Sequence, residues 1–165
     1  MNWPYVHTLV NHFPIILMVV GSAVAVLALI TGRRGVWLYA VATLTLAGLS
    51  IWPADFTGDQ AADVMRKAWY VEPAAIREHD AAATYALIFT LLAGAVAAYA
   101  WWRMLRRERD GLAPKWLRIV VLVVALFDLT VVTRTAYLGG KIVHDSPKLL
   151  VVPPGVTVDT AGRGG

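Results

Sequence analysis

No cysteine occurs among the 165 residues. That absence removes disulfides, thiolate zinc sites, iron–sulfur ligation and covalent haem attachment through a Cys-x-x-Cys-His motif. Metal chemistry is left with histidine, carboxylate, methionine or backbone oxygen. Charge is scarce too: 16% of residues are charged against 58% hydrophobic, too apolar for an ordinary soluble domain of this length. Nothing basic precedes Arg33, so the charged start of a cleavable signal peptide is missing and the first apolar run is expected to stay as an anchor. Nucleophile elbow, phosphate loop and zinc-protease motifs are all absent, and with them the usual signs of hydrolysis or phosphoryl transfer.

What is present is four long apolar runs. A run of about 20 apolar residues crosses a hydrocarbon layer roughly 30 Å thick. The runs read as spans over Phe13–Thr31, Val36–Trp52, Asp80–Trp102 and Leu117–Leu138, with Pro53 stopping the second and Gly139-Gly140 the fourth. The expected fold is an all-α integral membrane protein, a bundle of four transmembrane helices over residues 1–147 with a flexible tail over 148–165. The net charge of +4 comes from basic residues gathered in short loops, which argues for membrane orientation and against nucleic-acid binding. Arg33, Arg34, Arg103, Arg106, Arg107, Arg109, Lys115 and Arg118 fall after spans one and three. The positive-inside rule then places both termini outside.

Between spans two and three, Asp59 is expected to cap a short interfacial amphipathic helix with Ala61, Val64, Met65, Ala68 and Trp69 on one face. Pro73 suits the first turn of a helix that runs through Ile76 and His79 into span three. Small residues at four-residue spacing, Gly21 with Ala25 and Gly94 with Ala98, suggest close helix packing.

The chemistry rests on four histidines: His7, His12, His79 and His144. All fall on the outer side of this topology, and imidazole is the ligand that zinc, copper and haem iron accept when thiols are absent. His7 and His12 are five residues apart, about 140° around an ideal helix, so one regular helix cannot aim both at the same point. Asn11 and Pro14 read as a helix start, which favours His12. Past His79, Ala82, Ala83 and Ala86 make a strip without bulk, suited to a planar macrocycle or simply to close helix packing. In span four, Arg134 can snorkel or hold an anionic group such as a haem propionate, and Asp128 is either a proton-handling group or a buried structural pair. Asp55 and Asp59, in the turn with Thr57 and Gly58, are carboxylates that could orient the histidines. The leading reading is electron transfer through a b-type haem held by these histidines. A copper- or zinc-binding protein of metal handling or cofactor assembly, and a structural subunit of a larger complex, stay open beside it.

His7-x4-His12-Phe13-Pro14-Ile15, Pro53-Ala54-x-x-Thr57-Gly58, Ile76-x-x-His79-Asp80 and Gly139-Gly140-x-Ile142-x-His144 occur in this order relative to the four spans. In these motifs, covering roughly residues 5 to 147, the chain resembles a bacterial family of four-helix membrane proteins known as a domain of unknown function. Asp80 stands where relatives often have Glu, which keeps the charge. Some relatives are joined to, or encoded beside, cytochrome c or Rieske-type domains. The resemblance therefore implies a bacterial inner membrane, a redox setting and a cytochrome c, Rieske or other respiratory partner.

Overall fold

The computed structural model describes residues 1–68, 71–106 and 111–144, with Val143 and His144 described by their backbone alone. Trp69, Arg107, Arg109 and the tail over 148–165 lie outside the described residues. The described chain is all helical: α1 (Trp3–Thr31), α2 (Arg34–Met65), α3 (Pro73–Leu105) and α4 (Lys115–His144). Each helix is long and apolar enough to cross a membrane. At 1.5 Å per residue they run roughly 45 Å, longer than the hydrocarbon layer, so each has ends to spare.

α1 begins where Asn2 accepts a hydrogen bond from the Tyr5 N–H at 3.3 Å, with Trp3 and Pro4 in the first turn. It ends at Gly32, whose φ of 63° is left-handed and whose N–H returns to the Ala28 carbonyl. Pro14 is therefore inside the helix and not at its start. α2 and α4 depart from the sequence reading in the same sense. Pro53 does not stop α2, which continues twelve residues further to Met65. The separate interfacial helix does not form: Asp59 to Met65 are the last turns of α2, and on the expected face Ala61 is buried while Val64 is exposed. Gly139 and Gly140 are helical within α4 and do not end it.

The reasons are energetic. A proline removes one helical N–H, and an interior glycine costs about 1 kcal/mol relative to alanine. Restarting a helix instead requires a new unfavourable nucleus, and packing commonly overrides propensity. Beyond Pro53, Ala54, Thr57 and Ala61 are all buried against the bundle, and Thr57 Oγ1 donates back to the Pro53 carbonyl at 2.9 Å. α3 starts at Pro73 as its sequence predicts.

The helices pack in a ring in chain order, α1 on α2, α2 on α3, α3 on α4 and α4 back on α1. α1 is thus diagonal to α3, and α2 to α4. Each helix turns a three- and four-residue stripe inward. On α1 the buried stripe is Pro14, Met18, Gly21, Ala25 and Ala28. On α3 it is Ile76, Ala86, Thr90, Ala93, Ala97, Ala100 and Met104. Large apolar side chains face outward instead, among them Phe13, Ile16, Leu49, Trp52, Val123 and Phe127. A soluble protein rarely exposes so broad an apolar surface, whereas lipid accepts it.

The two ends differ in character. At one end Arg34 ties the α1–α2 turn down, donating from its guanidinium to the Met104 carbonyl at 3.1 Å and the Gly111 carbonyl at 3.3 Å. Here the core is closed by Trp37, Met104, Ala113 and Leu117. The opposite end holds His7, His12 and His79. There Arg66, just past α2, pairs with Asp80 at 2.7 Å and Asp63 at 3.0 Å.

Candidate two-histidine site

Extending the inward stripes toward the second end brings in the chemistry. On α1, counting back from Pro14 by three and then four gives Asn11 and His7. On α3, counting back from Ala86 gives Ala83 and His79. On α4, Asp128, Val132 and Thr135 continue the stripe of Leu117, Val121 and Ala125. All of these extensions except Asp128 meet in one open cleft. Its walls are apolar, with Ala54, Ala83 and Ala86 small and Ile15, Ile51, Leu87 and Val132 bulkier, and its polar groups are His7, Asn11, Asp55, His79 and Thr135.

The two histidines are held in the same way. His7 Nδ1 lies 3.1 Å from the Ala54 carbonyl and 3.3 Å from Thr57 Oγ1 on α2. His79 Nδ1 lies 3.1 Å from the Thr135 carbonyl on α4. A carbonyl only accepts, so Nδ1 carries the proton in both rings, and the neutral ring keeps its lone pair on Nε2. Each carbonyl sits four residues before a glycine, Gly58 and Gly139, hence one turn away on the same helix face. The imidazole lies along that face, with its Cε1 edge on the glycine. A Cβ at Gly58 would come 3.1 Å from His7 Cε1, and one at Gly139 would come 3.0 Å from His79 Cε1. The α1–α2 and α3–α4 hairpins thus build the same device twice, and the diagonal helices α1 and α3 bring the two rings to one cleft. Thr135 Oγ1, donating to the Ala82 carbonyl at 3.1 Å, ties α4 to α3 beside the second ring.

Gly139→Ala is expected to disturb this device without unfolding the helix, which gains from the substitution in propensity. The added methyl must push the His79 ring by a few tenths of an ångström and lengthen its bond to Thr135. Nitrogen-15 NMR of histidine-labelled protein should show one ring losing its fixed Nδ1–H tautomer. Unchanged ring shifts would mean that glycine is not needed there.

The other expected site residues fall elsewhere. The preference for His12 over His7 is reversed: α1 is regular through both, so the 140° between them sends His12 outward. His12 is exposed, and its Nδ1 donates to the Thr8 carbonyl of its own helix. Arg134 is exposed and lies outside the cleft lining. The His144 backbone ends α4, and its side chain lies outside the described residues. Asp55 lines the cleft, whereas Asp59 is exposed. The alanine strip divides: Ala83 and Ala86 line the cleft, and Ala82 serves helix packing through its carbonyl.

Asn11, Thr135 and the two glycines were not recognised as parts of the site from sequence. Asn11 lines the cleft with its Oδ1 buried and unpartnered. The signal that could have found it, and His7, is the stripe 7-11-14-18, which continues the buried face of α1 past the end of the apolar run.

Compared with family models, curated proteins and solved structures, the chain finds no match. The functional reading therefore rests on the geometry of the cleft and on the sequence motifs.

Proposed function

We propose that this is a multi-pass membrane electron-transfer protein in which His7 and His79 hold a b-type haem. The observation that carries the reading is the pair of imidazoles on diagonal helices, each with Nδ1 pinned to a carbonyl and both lining one cleft. Metal-bound histidines characteristically have the second nitrogen fixed in this way, which sets the tautomer and the ring orientation.

The residues present fit the group. Haem supplies four nitrogens to its iron and takes one or two ligands from the protein, within what two histidines can offer, whereas a structural zinc site takes four protein ligands. The mostly apolar lining of the cleft, with a few placed polar groups, matches the character of cofactor sites. Ala83 and Ala86 keep bulk away from the side of α3 that carries His79. Bound haem would supply a one-electron iron couple. The protein's part is to present two neutral imidazoles, to hold their orientation through Ala54, Thr57 and Thr135, and to surround the site with apolar side chains that limit water.

The same reading places the chain in the bacterial inner membrane with both termini and the histidine end outside, because Arg33, Arg34, Arg103, Arg106, Lys115 and Arg118 gather at the other end. The four motifs support membership of the four-helix family they resemble, and with it a cytochrome c or Rieske-type partner on the outer face. The test is a spectrum of detergent-purified protein from haem-sufficient cells, oxidised and then dithionite-reduced. A Soret band that sharpens with α and β bands on reduction is expected. A featureless spectrum overturns the proposal, and copper or zinc found in that sample by elemental analysis would turn the site to metal handling.

A further inference from the structure

One turn beneath the cleft lies a carboxyl group that haem ligation does not use. Asp128 is fully buried, at 0% exposure. Thr90 Oγ1 of α3 donates to its Oδ1 at 3.1 Å, and its Oδ2 has no partner. An ionised carboxylate in this position would have one hydrogen bond and no counter-charge, a costly state within a membrane-spanning bundle. The groups at this level from the neighbouring helices are uncharged. Ser22 of α1 donates to the Ala125 carbonyl at 3.3 Å, Gly48 of α2 faces the Thr90 carbonyl, and Thr90 itself belongs to α3. The titratable groups that line the cleft above it are His7 on α1, Asp55 on α2 and His79 on α3. On its own helix Arg134 is exposed.

The surroundings of Asp128 are unequal in depth. Toward the histidines, one helical turn separates it from Val132, and one turn separates Thr90 from Ala86. Both residues line the cleft, so the barrier is about 6 Å and includes one alanine. Toward the arginine end, the stripe continues for roughly 20 Å to the start of α4. It is filled there by Leu44, Ala97, Ala100, Met104, Trp37 and Val121, each at most 2% exposed.

We propose that Asp128 is a proton-binding site, neutral in the resting protein, which exchanges its proton with water in the histidine cleft and not with the arginine end. Oδ2 gives its proton to water admitted from the cleft past Ala86 and Val132, forming hydronium, and takes one back from hydronium by the same route, so the bundle binds a proton at its centre without conducting one across the membrane. This does not depend on haem.

Infrared difference spectroscopy tests the first half at neutral pH, wild type minus Asp128→Asn. Expected is a carboxylic-acid C=O band present in the wild type, shifted by deuterium oxide and absent from the variant. No such band would mean that Asp128 is ionised and would overturn the proposal. Should Asp128→Asn fail to fold, Thr90→Val reads out the same group: losing the donor to Oδ1 should move the band to higher frequency, and an unmoved band counts against it. Proteoliposomes under a potassium diffusion potential test the direction. Proton flux equal to that of protein-free vesicles is expected, and a flux that disappears in Asp128→Asn would overturn the one-sided route.

Discussion

His7→Ala and His79→Ala should each abolish the sharpened α and β bands of the reduced protein, while His12→Ala leaves them intact. The two sensitive rings are held alike, so neither should be dispensable. Removing a residue that merely orients a metal ligand typically costs 10- to 100-fold in affinity, and removing the ligand itself should cost at least as much, roughly tenfold or more loss of bound haem on purification. His12 cannot substitute for His7: it faces away from the cleft, with its Nδ1 committed to the Thr8 carbonyl. Helical content by circular dichroism should be unchanged in all three variants, because each ring packs on a glycine at the periphery of the core. Retention of the bands in His7→Ala, or their loss in His12→Ala alone, would move the site to the outward face of α1. Loss in all three without loss of helix would mean that the histidines act together in a way this cleft does not provide.

The contrast between His7 and His12 also marks where the sequence was readable. Four membrane-length helices follow from four apolar runs, because hydrophobicity along the chain is a local property. What lay beyond the runs was harder, because the helices continue into polar sequence where packing and not hydropathy decides. Pro14 and Pro53 carry the local signature of a boundary, yet both are interior to helices. The burial of Ala54, Thr57 and Ala61 against the bundle is invisible from Pro53 alone. Gly139 carries the signature of a helix end, yet it is a contact surface for a histidine 60 residues away. His79 was legible because Pro73 does start α3, which fixed its register with Ala83 and Ala86. His7 is the harder one to read, because Asn11 and Pro14 imitate a helix start that lies at Asn2. Once the helix is extended, the stripe through Met18, Pro14 and Asn11 reaches His7 without adjustment. Asp128 stood out from sequence as an ionisable group in an apolar run. Its partner Thr90 did not, since pairing across helices requires their relative rotation.

The largest structural effect should come from Gly48→Val, with Gly48→Ala as its milder form. α2 and α3 meet backbone to backbone at this point. A Cβ built on Gly48 would lie 2.8 Å from the Gly94 Cα and 3.2 Å from the Thr90 carbonyl, and one on Gly94 would lie 2.7 Å from the Gly48 Cα. Real Cβ atoms do not approach backbone so closely, and no flexible side chain is there to give way. The helices themselves must separate. In a bilayer, helix association depends on such close approach, because lipid offers apolar side chains as good an environment as another helix does. Overpacking of a tight core costs about 1–3 kcal/mol, and a backbone–backbone contact belongs at the upper end for alanine and beyond it for valine. Thermal unfolding in detergent should therefore show a clearly lowered midpoint for Gly48→Ala and little folded protein for Gly48→Val. Gly35→Ala is the matched control: the same helix, the same chemical change and open space around the added methyl, so its midpoint should hold or rise slightly. If Gly48→Ala proved as stable as Gly35→Ala, the close α2–α3 approach would be wrong. The contact also borders the Thr90 carbonyl, at the level of Asp128, so a wedge there loosens the packing around the Thr90–Asp128 pair. The surviving Gly48→Ala protein should consequently exchange the Asp128 proton faster in deuterium oxide than the wild type. A slower or equal exchange would separate the helix contact from the proton site and leave the Ala86 and Val132 floor as its sole barrier.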